Sequence, residues 1–296
     1  LLACLATPIG NLSTSMNTLK DINTNSDRPF HFTDQDFQHI RKLIYDLAGI
    51  NLSNSKSEMV YNRIARRLRA TGLTRVDDYL QLVQSPQSSE RQPFINALTT
   101  NLTSFFREPE HFSILSKYLL EIAKNRSIKI WCCASSTGEE PYTIAMTALE
   151  TLGHTRVDVK ILATDIDTQV LKTASEGIYN LDRIEKLEPS LKKRFFLKGK
   201  GEQEDLVRVR PELRDMITFQ SLNLLDSHWN IQGPFDVIFC RNVMIYFDKD
   251  TQHSILKKFV PFMTPESLLI AGHTENFHHA ADLFIKKGRT IYGIAS

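Results

Sequence analysis

Five stretches of the sequence carry side chains able to bind or transform a small molecule. An apolar run ends in Ala163-Thr164-Asp165-Ile166-Asp167, and a carboxylate directly after such a run can take two ribose hydroxyls as paired donors. Asp165 holds that position, while Asp167, just ahead of a helical pattern from Thr168, reads as a helix N-cap. A second run ends Cys240-Arg241-Asn242-Val243-Met244-Ile245-Tyr246-Phe247. An unpaired buried charge is costly, so Arg241 must meet a partner there, either a ligand or a structural carboxylate. Ala134-Ser135-Ser136-Thr137-Gly138-Glu139-Glu140-Pro141-Tyr142 is a turn of small residues entering a helix, where a ligand can approach free backbone N–H groups. Thr99-Thr100-Asn101-Leu102-Thr103-Ser104-Phe105-Phe106-Arg107-Glu108 is a polar and aromatic joint of the kind that borders pockets, with a helix cap and a packed Phe pair as the alternative. In Gly272-His273-Thr274-Glu275-Asn276-Phe277, His273 by itself reads as a satisfied structural histidine.

The elements that must position these groups follow from hydrophobic period. Ile128 to Cys133, Val157 to Ala163 and Phe235 to Cys240 are short apolar runs typical of buried strands. Helical patterns lie at Tyr142 to Leu152, Thr168 to Glu176 and Asp250 to Phe262. Alternating strands and helices predict an α/β fold with a doubly wound, Rossmann-like parallel sheet, in which ligands bind beyond the carboxyl ends of the strands. Ser267 to Ala271 and Thr290 to Ile294 are expected as closing strands. Arg194 to Arg210, alternating around a Gly-containing turn, predicts an antiparallel hairpin inserted at about 190–213.

Ahead of the sheet, residues 30–98 predict a small all-α domain. Thr33 and Asp36 form a helix start before Phe37, Ile40, Leu43, Ile44 and Leu47, and Gly49 closes that helix. From Ser53 to Thr71, Tyr61, Ile64, Ala65 and Leu68 share one face, and Lys56, Arg63, Arg66 and Arg67 make a cationic stripe beside it. Further helices are expected at Val76 to Val83 and Arg91 to Leu98. Residues 1–29, rich in Asn, Ser and Thr, read as a mobile tail; 99–127 read as a linker and helix, and 128–296 as the ligand-binding domain.

With 296 residues and 42% hydrophobic content the chain can bury a sizeable core. Its net charge of +2 names no anionic partner, so attraction would come from a local basic face. The four cysteines, Cys4, Cys132, Cys133 and Cys240, show neither zinc spacing nor a secreted disulfide framework and are expected as reduced thiols in a cytoplasmic protein. No apolar run approaches the roughly 20 residues that cross a bilayer, and the opening residues lack the basic flank of a secretory signal.

The stretches Asn101 to Glu108, Ser136 to Tyr142, Phe239 to Phe247 and Gly272 to Phe277 together resemble the bacterial chemotaxis receptor methyltransferases, the CheR family, in order from about Phe32 to the C-terminus. The resemblance implies S-adenosylmethionine as methyl donor, S-adenosylhomocysteine as product, receptor glutamates converted to γ-methyl esters, and no metal. It further implies that Asn101, Thr103, Arg107, Glu139, Asp165, Asn223, Leu224, Arg241 and Asn242 line the cofactor site, with Arg107 and Tyr246 near the reacting centre. Asn223 and Leu224 rest on the resemblance alone. The multi-glycine first loop of many other methyltransferases is missing here, with Gly138 almost alone.

A sulfonium methyl is already electrophilic, and a glutamate with a reference pKa of about 4.3 is ionised at neutral pH. No general base is then required, and Arg107 and Tyr246 are expected to position rather than to deprotonate. The cationic stripe is expected to meet the acidic helices of the chemoreceptor cytoplasmic domain. The inserted hairpin resembles a β-subdomain that docks the receptor C-terminal tail in some members. A nucleic-acid methyltransferase is the first alternative, but Arg241-Asn242-Val243-Met244 stands where an exocyclic-amine enzyme would carry a Pro-Pro-aromatic motif. A non-catalytic binding module, the second, would have no need of Arg107, Asp165, Arg241 and Tyr246 together. The chain is expected to be a monomer that neither binds nucleic acid nor inserts in membranes.

Overall fold

The computed structural model describes residues 29–123, 126–153 and 157–295. The tail expected over 1–29 therefore lies, apart from residue 29, outside the described residues, as does Cys4.

Helices α1 (Asp34–Ala48), α2 (Ser57–Thr71), α3 (Val76–Gln84) and α4 (Arg91–Leu98) pack around Ile40, Ile44, Ile64, Leu68 and Phe94. The start of α1 is a reciprocal capping box: the Asp36 N–H donates to Thr33 Oγ1 at 3.1 Å and the Thr33 N–H to Asp36 Oδ2 at 2.7 Å. Gly49 ends the helix at φ 69°, and a Cβ there would sit 2.9 Å from the Phe247 ring. Only glycine lets this helix end rest directly on the α/β domain.

After α5 (Glu110–Ile122) the chain alternates β1 (Ile128–Cys132), α6 (Glu139–Leu152), β2 (Val159–Asp165) and α7 (Thr168–Glu176). A small excursion follows: β3 (Ile178–Asn180), α8 (Pro189–Phe195), β4 (Phe196–Lys198), β5 (Leu206–Val209) and α9 (Pro211–Arg214). The main sheet resumes with β6 (Ile217–Ser221), β7 (Phe235–Cys240), α10 (Lys249–Phe259), β8 (Met263–Ala271), β9 (Phe284–Lys286) and β10 (Ile291–Ile294). Its order is β6-β2-β1-β7-β8-β10-β9. Pairs from β6 to β8 are parallel, and β10 runs antiparallel to both β8 and β9. The chain leaves β1 toward β2 and β6, then returns to place β7 on the other flank. That reversal opens a crevice beyond the carboxyl ends of β1, β2 and β7.

The inserted hairpin needs correction. Arg194 and Phe195 belong to α8, and the small sheet has three strands, in the order β3-β5-β4, so it begins at Ile178 and not near residue 190. Three residues are too few to display a period of two. What makes Ile178–Asn180 a strand is its ladder to β5, with Tyr179 opposite Val207, and the burial of Tyr179 against Phe105 at a ring separation of 5.2 Å.

Candidate active site

A cleft of roughly 1350 Å³, its open mouth included, occupies the crevice. The β1 turn supplies Cys133, Ala134 and Ser136; β2 supplies Asp165; the helical domain roofs it with Ile50, Lys56 and Met59. Of the residues predicted from sequence, Asn101, Thr103, Arg107, Asp165, Asn223, Leu224, Arg241, Asn242 and Tyr246 all line it.

At the β2 end, the Ser136 N–H donates to Asp165 Oδ2 at 2.8 Å and the Asp167 N–H to Oδ1 at 2.9 Å. Each oxygen keeps a lone pair for a further donor. Burial pushes this carboxyl up to about 6, against the pull of those two N–H groups. Asp167 caps α7, its Oδ1 accepting from Gln169 and Val170 N–H at 2.9 and 3.3 Å. Its other oxygen accepts from Thr99 Oγ1 at 2.7 Å and Asn101 Nδ2 at 2.8 Å, which pins the interdomain joint to β2.

The β7 end is built on ions. Arg241 is 3% exposed; its guanidinium donates to Glu140 at 2.6 Å and Glu108 at 3.1 Å, and to the Arg107 carbonyl. The structural partner expected as one of two possibilities is present, although Arg241 also borders the cleft. Asn242 takes φ 57° and gives its Nδ2 to Glu108 at 3.2 Å. Glu275 holds this turn: Gly272 and Asn242 N–H donate to Oε2 at 2.6 and 2.8 Å, and Val243 and Met244 N–H to Oε1 at 3.0 and 2.8 Å. A Cβ on Gly272 would fall 2.5 Å from Asn242 Nδ2 and 2.9 Å from Glu275 Oε2, so the carboxylate needs a glycine beside it. Glu108, Glu140 and Glu275 had no role assigned from sequence. For Glu140 and Glu275, a carboxylate among polar residues after a strand was the one available sign.

Arg107 sits half-buried at the cleft, one guanidinium nitrogen donating to the Leu102 carbonyl at 2.7 Å. Tyr246 lines the cleft from the segment after β7, and its carbonyl receives the Asn51 N–H at 2.9 Å. Asn223 ties the same floor to the roof, its Nδ2 donating to the Leu47 carbonyl at 2.8 Å.

Other predicted residues lie elsewhere. Glu139 is wholly buried away from the cleft, bonded to Arg183 and to Thr137 Oγ1. The cationic stripe is divided. Arg63 donates to the Ala97 and Thr99 carbonyls at the end of α4, and Arg67 forms a two-pronged bond to Glu90, at 2.8 and 2.9 Å. Lys56 and Arg66 remain exposed. Cys132, Cys133 and Cys240 are free and buried. Among the described residues no helix is long and apolar enough to cross a membrane.

A parallel sheet with an acidic strand end open to its switch point defines an α/β enzyme that holds a nucleoside cofactor, and comparison with known proteins makes it an S-adenosylmethionine-dependent methyltransferase. Residues 101–292 match the family model described as CheR methyltransferase, SAM binding domain, and residues 35–99 the CheR methyltransferase, all-alpha domain. The chain belongs to the CheR family of chemotaxis methyltransferases. It is 50% identical over 266 residues to the chemotaxis protein methyltransferase of Escherichia coli (strain K12), which covers 89% of this chain and 92% of that protein. It is 48% identical over 267 residues to the chemotaxis protein methyltransferase 2 of Pseudomonas aeruginosa, covering 90% and 95%.

The cleft suits S-adenosylmethionine. Asp165 offers acceptors for ribose hydroxyls, Ile166, Leu222 and Leu224 offer an apolar wall for a base, and Arg107 offers a fork for a carboxylate.

Proposed function

We propose that this enzyme transfers the methyl group to glutamate side chains of a chemoreceptor's cytoplasmic domain, forming γ-methyl esters. Bound S-adenosylmethionine supplies an electrophilic methyl carbon. The protein's task is to bring a carboxylate oxygen into line with it, a proximity effect that can supply roughly 7–11 kcal/mol at best. The observation that carries the proposal is that Arg107 and Tyr246 line one cleft together with Asp165. Arg107 orients the incoming carboxylate or holds that of the cofactor, and Tyr246 fixes the approach. Neither serves as a base, and an ionised glutamate needs none; no metal takes part in the transfer. Asn101, Thr103, Asn223, Leu224, Arg241 and Asn242 complete the cofactor site, and Glu139 acts from outside it by fixing Arg183 near the Thr103 carbonyl.

Lys56 and Arg66 are the stripe residues left to steer an acidic receptor helix, while Arg63 and Arg67 serve the helical domain. The free edges of β3 and β4 can take a receptor C-terminal segment as an added strand. The enzyme acts in the cytoplasm as a monomer, without nucleic acid or membrane insertion.

Radiolabelled methyl transfer to a receptor cytoplasmic fragment, released by base as methanol, is the expected result; base-stable label would overturn the ester. Arg107→Ala and Tyr246→Phe should each lower turnover at saturating receptor while leaving the folded protein intact. Charge reversal at Lys56 and Arg66 should weaken receptor methylation and flatten its salt dependence; unchanged salt dependence removes them from the receptor face.

A further inference from the structure

Glu108, His111 and His273 meet where α5 begins and the segment after β8 passes it, with Glu108 and His273 165 residues apart in the chain. One ligand atom from each lies within 4.8 Å of the others. His111 Nδ1 is 3.5 Å and His273 Nε2 3.9 Å from the same oxygen, Glu108 Oε2. Glu110 adds a carboxylate oxygen in contact with His273 Nε2. Ligands around a tetrahedral zinc at about 2.0–2.1 Å stand roughly 3.4 Å apart, so small side-chain movements convert this cluster into a coordination shell.

A second observation points the same way. His111 is 1% exposed, its Nε2 engages Thr290 Oγ1 at 2.6 Å, and its buried Nδ1 has no hydrogen-bond partner. In the tautomer that donates Nε2–H to Thr290, the Nδ1 lone pair faces a carboxylate. That is the arrangement of a metal-binding imidazole oriented through its other nitrogen. The charges also leave room for a dication: Glu108 and Glu140 share the single guanidinium of Arg241, and Glu110 adds a third carboxylate against His273.

We propose that Glu108, Glu110, His111 and His273 form a structural site for a divalent transition metal, with zinc the best match to two imidazoles and two carboxylates. Calcium and magnesium, which favour all-oxygen shells, fit poorly. Glu108 also bonds Asn242 and Arg241, so the metal would brace the joint that carries Arg107. The site stands independently of which substrate is methylated.

The test uses the full chain without a histidine tag, stripped with a chelator and titrated with zinc, then cobalt. One equivalent of zinc should bind and raise the melting temperature, and cobalt should give the visible bands of a four-coordinate nitrogen and oxygen site. Thr290→Val should weaken zinc roughly 10-fold or more. His273→Ala, at an exposed position, should abolish stoichiometric binding without unfolding the chain. Substoichiometric binding by the unmodified chain overturns the proposal, as does a His273→Ala variant that binds like it. Binding lost instead in His253→Ala, which removes a surface histidine 3.0 Å from Asp282, would also overturn it by showing adventitious surface capture.

Discussion

The two strand ends that frame the cleft use the same device for different purposes. At each, a buried carboxylate gathers backbone N–H groups and so shapes the turn around it. Glu275 takes four, two on each oxygen, which exhausts its acceptor capacity. Asp165 takes one on each oxygen from Ser136 and Asp167 and borders the cleft. One carboxylate is committed to building the wall, and the other keeps acceptors for a ligand. Burial raises both carboxyls, and in each case the backbone N–H donors pull the other way.

Glu275→Gln should show the largest effect, because an amide NH2 would then face two N–H donors. A loss of roughly 3 kcal/mol in folding stability is expected from denaturant unfolding. A loss near zero would make the two ends equivalent and break the comparison.

Asp165→Asn should instead act on affinity. S-adenosylhomocysteine binding, measured by calorimetry, should weaken roughly 10- to 100-fold, at about 1.4 kcal/mol per tenfold. The pH dependence has a defined sign. The Asp165 carboxyl is raised from 3.8 to about 6 in the folded protein, so its contribution to stability is fully present below the lower value and lost as pH rises through the upper. A ligand that donates hydroxyls favours the ionised form, so affinity should climb over the same window. Asp165→Asn should flatten both profiles, and a retained rise in affinity would place the ligand's hydroxyls elsewhere.

Asp167→Asn, only two residues away, should have the smallest effect. It keeps an acceptor for α7, and the Thr99 hydroxyl can turn to accept from the new amide although Asn101 loses its acceptor, so a cost of about 1–2 kcal/mol in thermal stability is expected with nucleoside binding changed less than in Asp165→Asn. A large loss of affinity would erase the division between neighbouring carboxylates.

Legibility in the sequence followed the range of the interaction. The capping box of α1, the Asp167 cap and the bounds of α7 depend on residues within one turn, and their signals are local. The β1, β2 and β7 runs read clearly because helices cover both faces of a parallel sheet and make each strand continuously apolar. Asp165 stood out because an acidic group directly follows such a run.

Long-range partners left no comparable trace. A helical stripe says which side chains share a face, yet Arg63 and Arg67 look outward in sequence and meet α4 carbonyls and Glu90 in space. Glu139 and Glu140 are adjacent in sequence, but consecutive residues on a helix point about 100° apart. One therefore meets Arg183 behind the cleft, and the other meets Arg241 beside it. The sequence by itself determined the alternation of strands and helices, and hence the edge at which a nucleoside could bind, because period and capping are short-range properties. Tertiary structure alone decided that Glu275 gathers four amides, that β3 joins β5, and which cations remain free for a receptor. Those outcomes depend on what chain folding brings opposite each side chain, and no spacing within a single element encodes that.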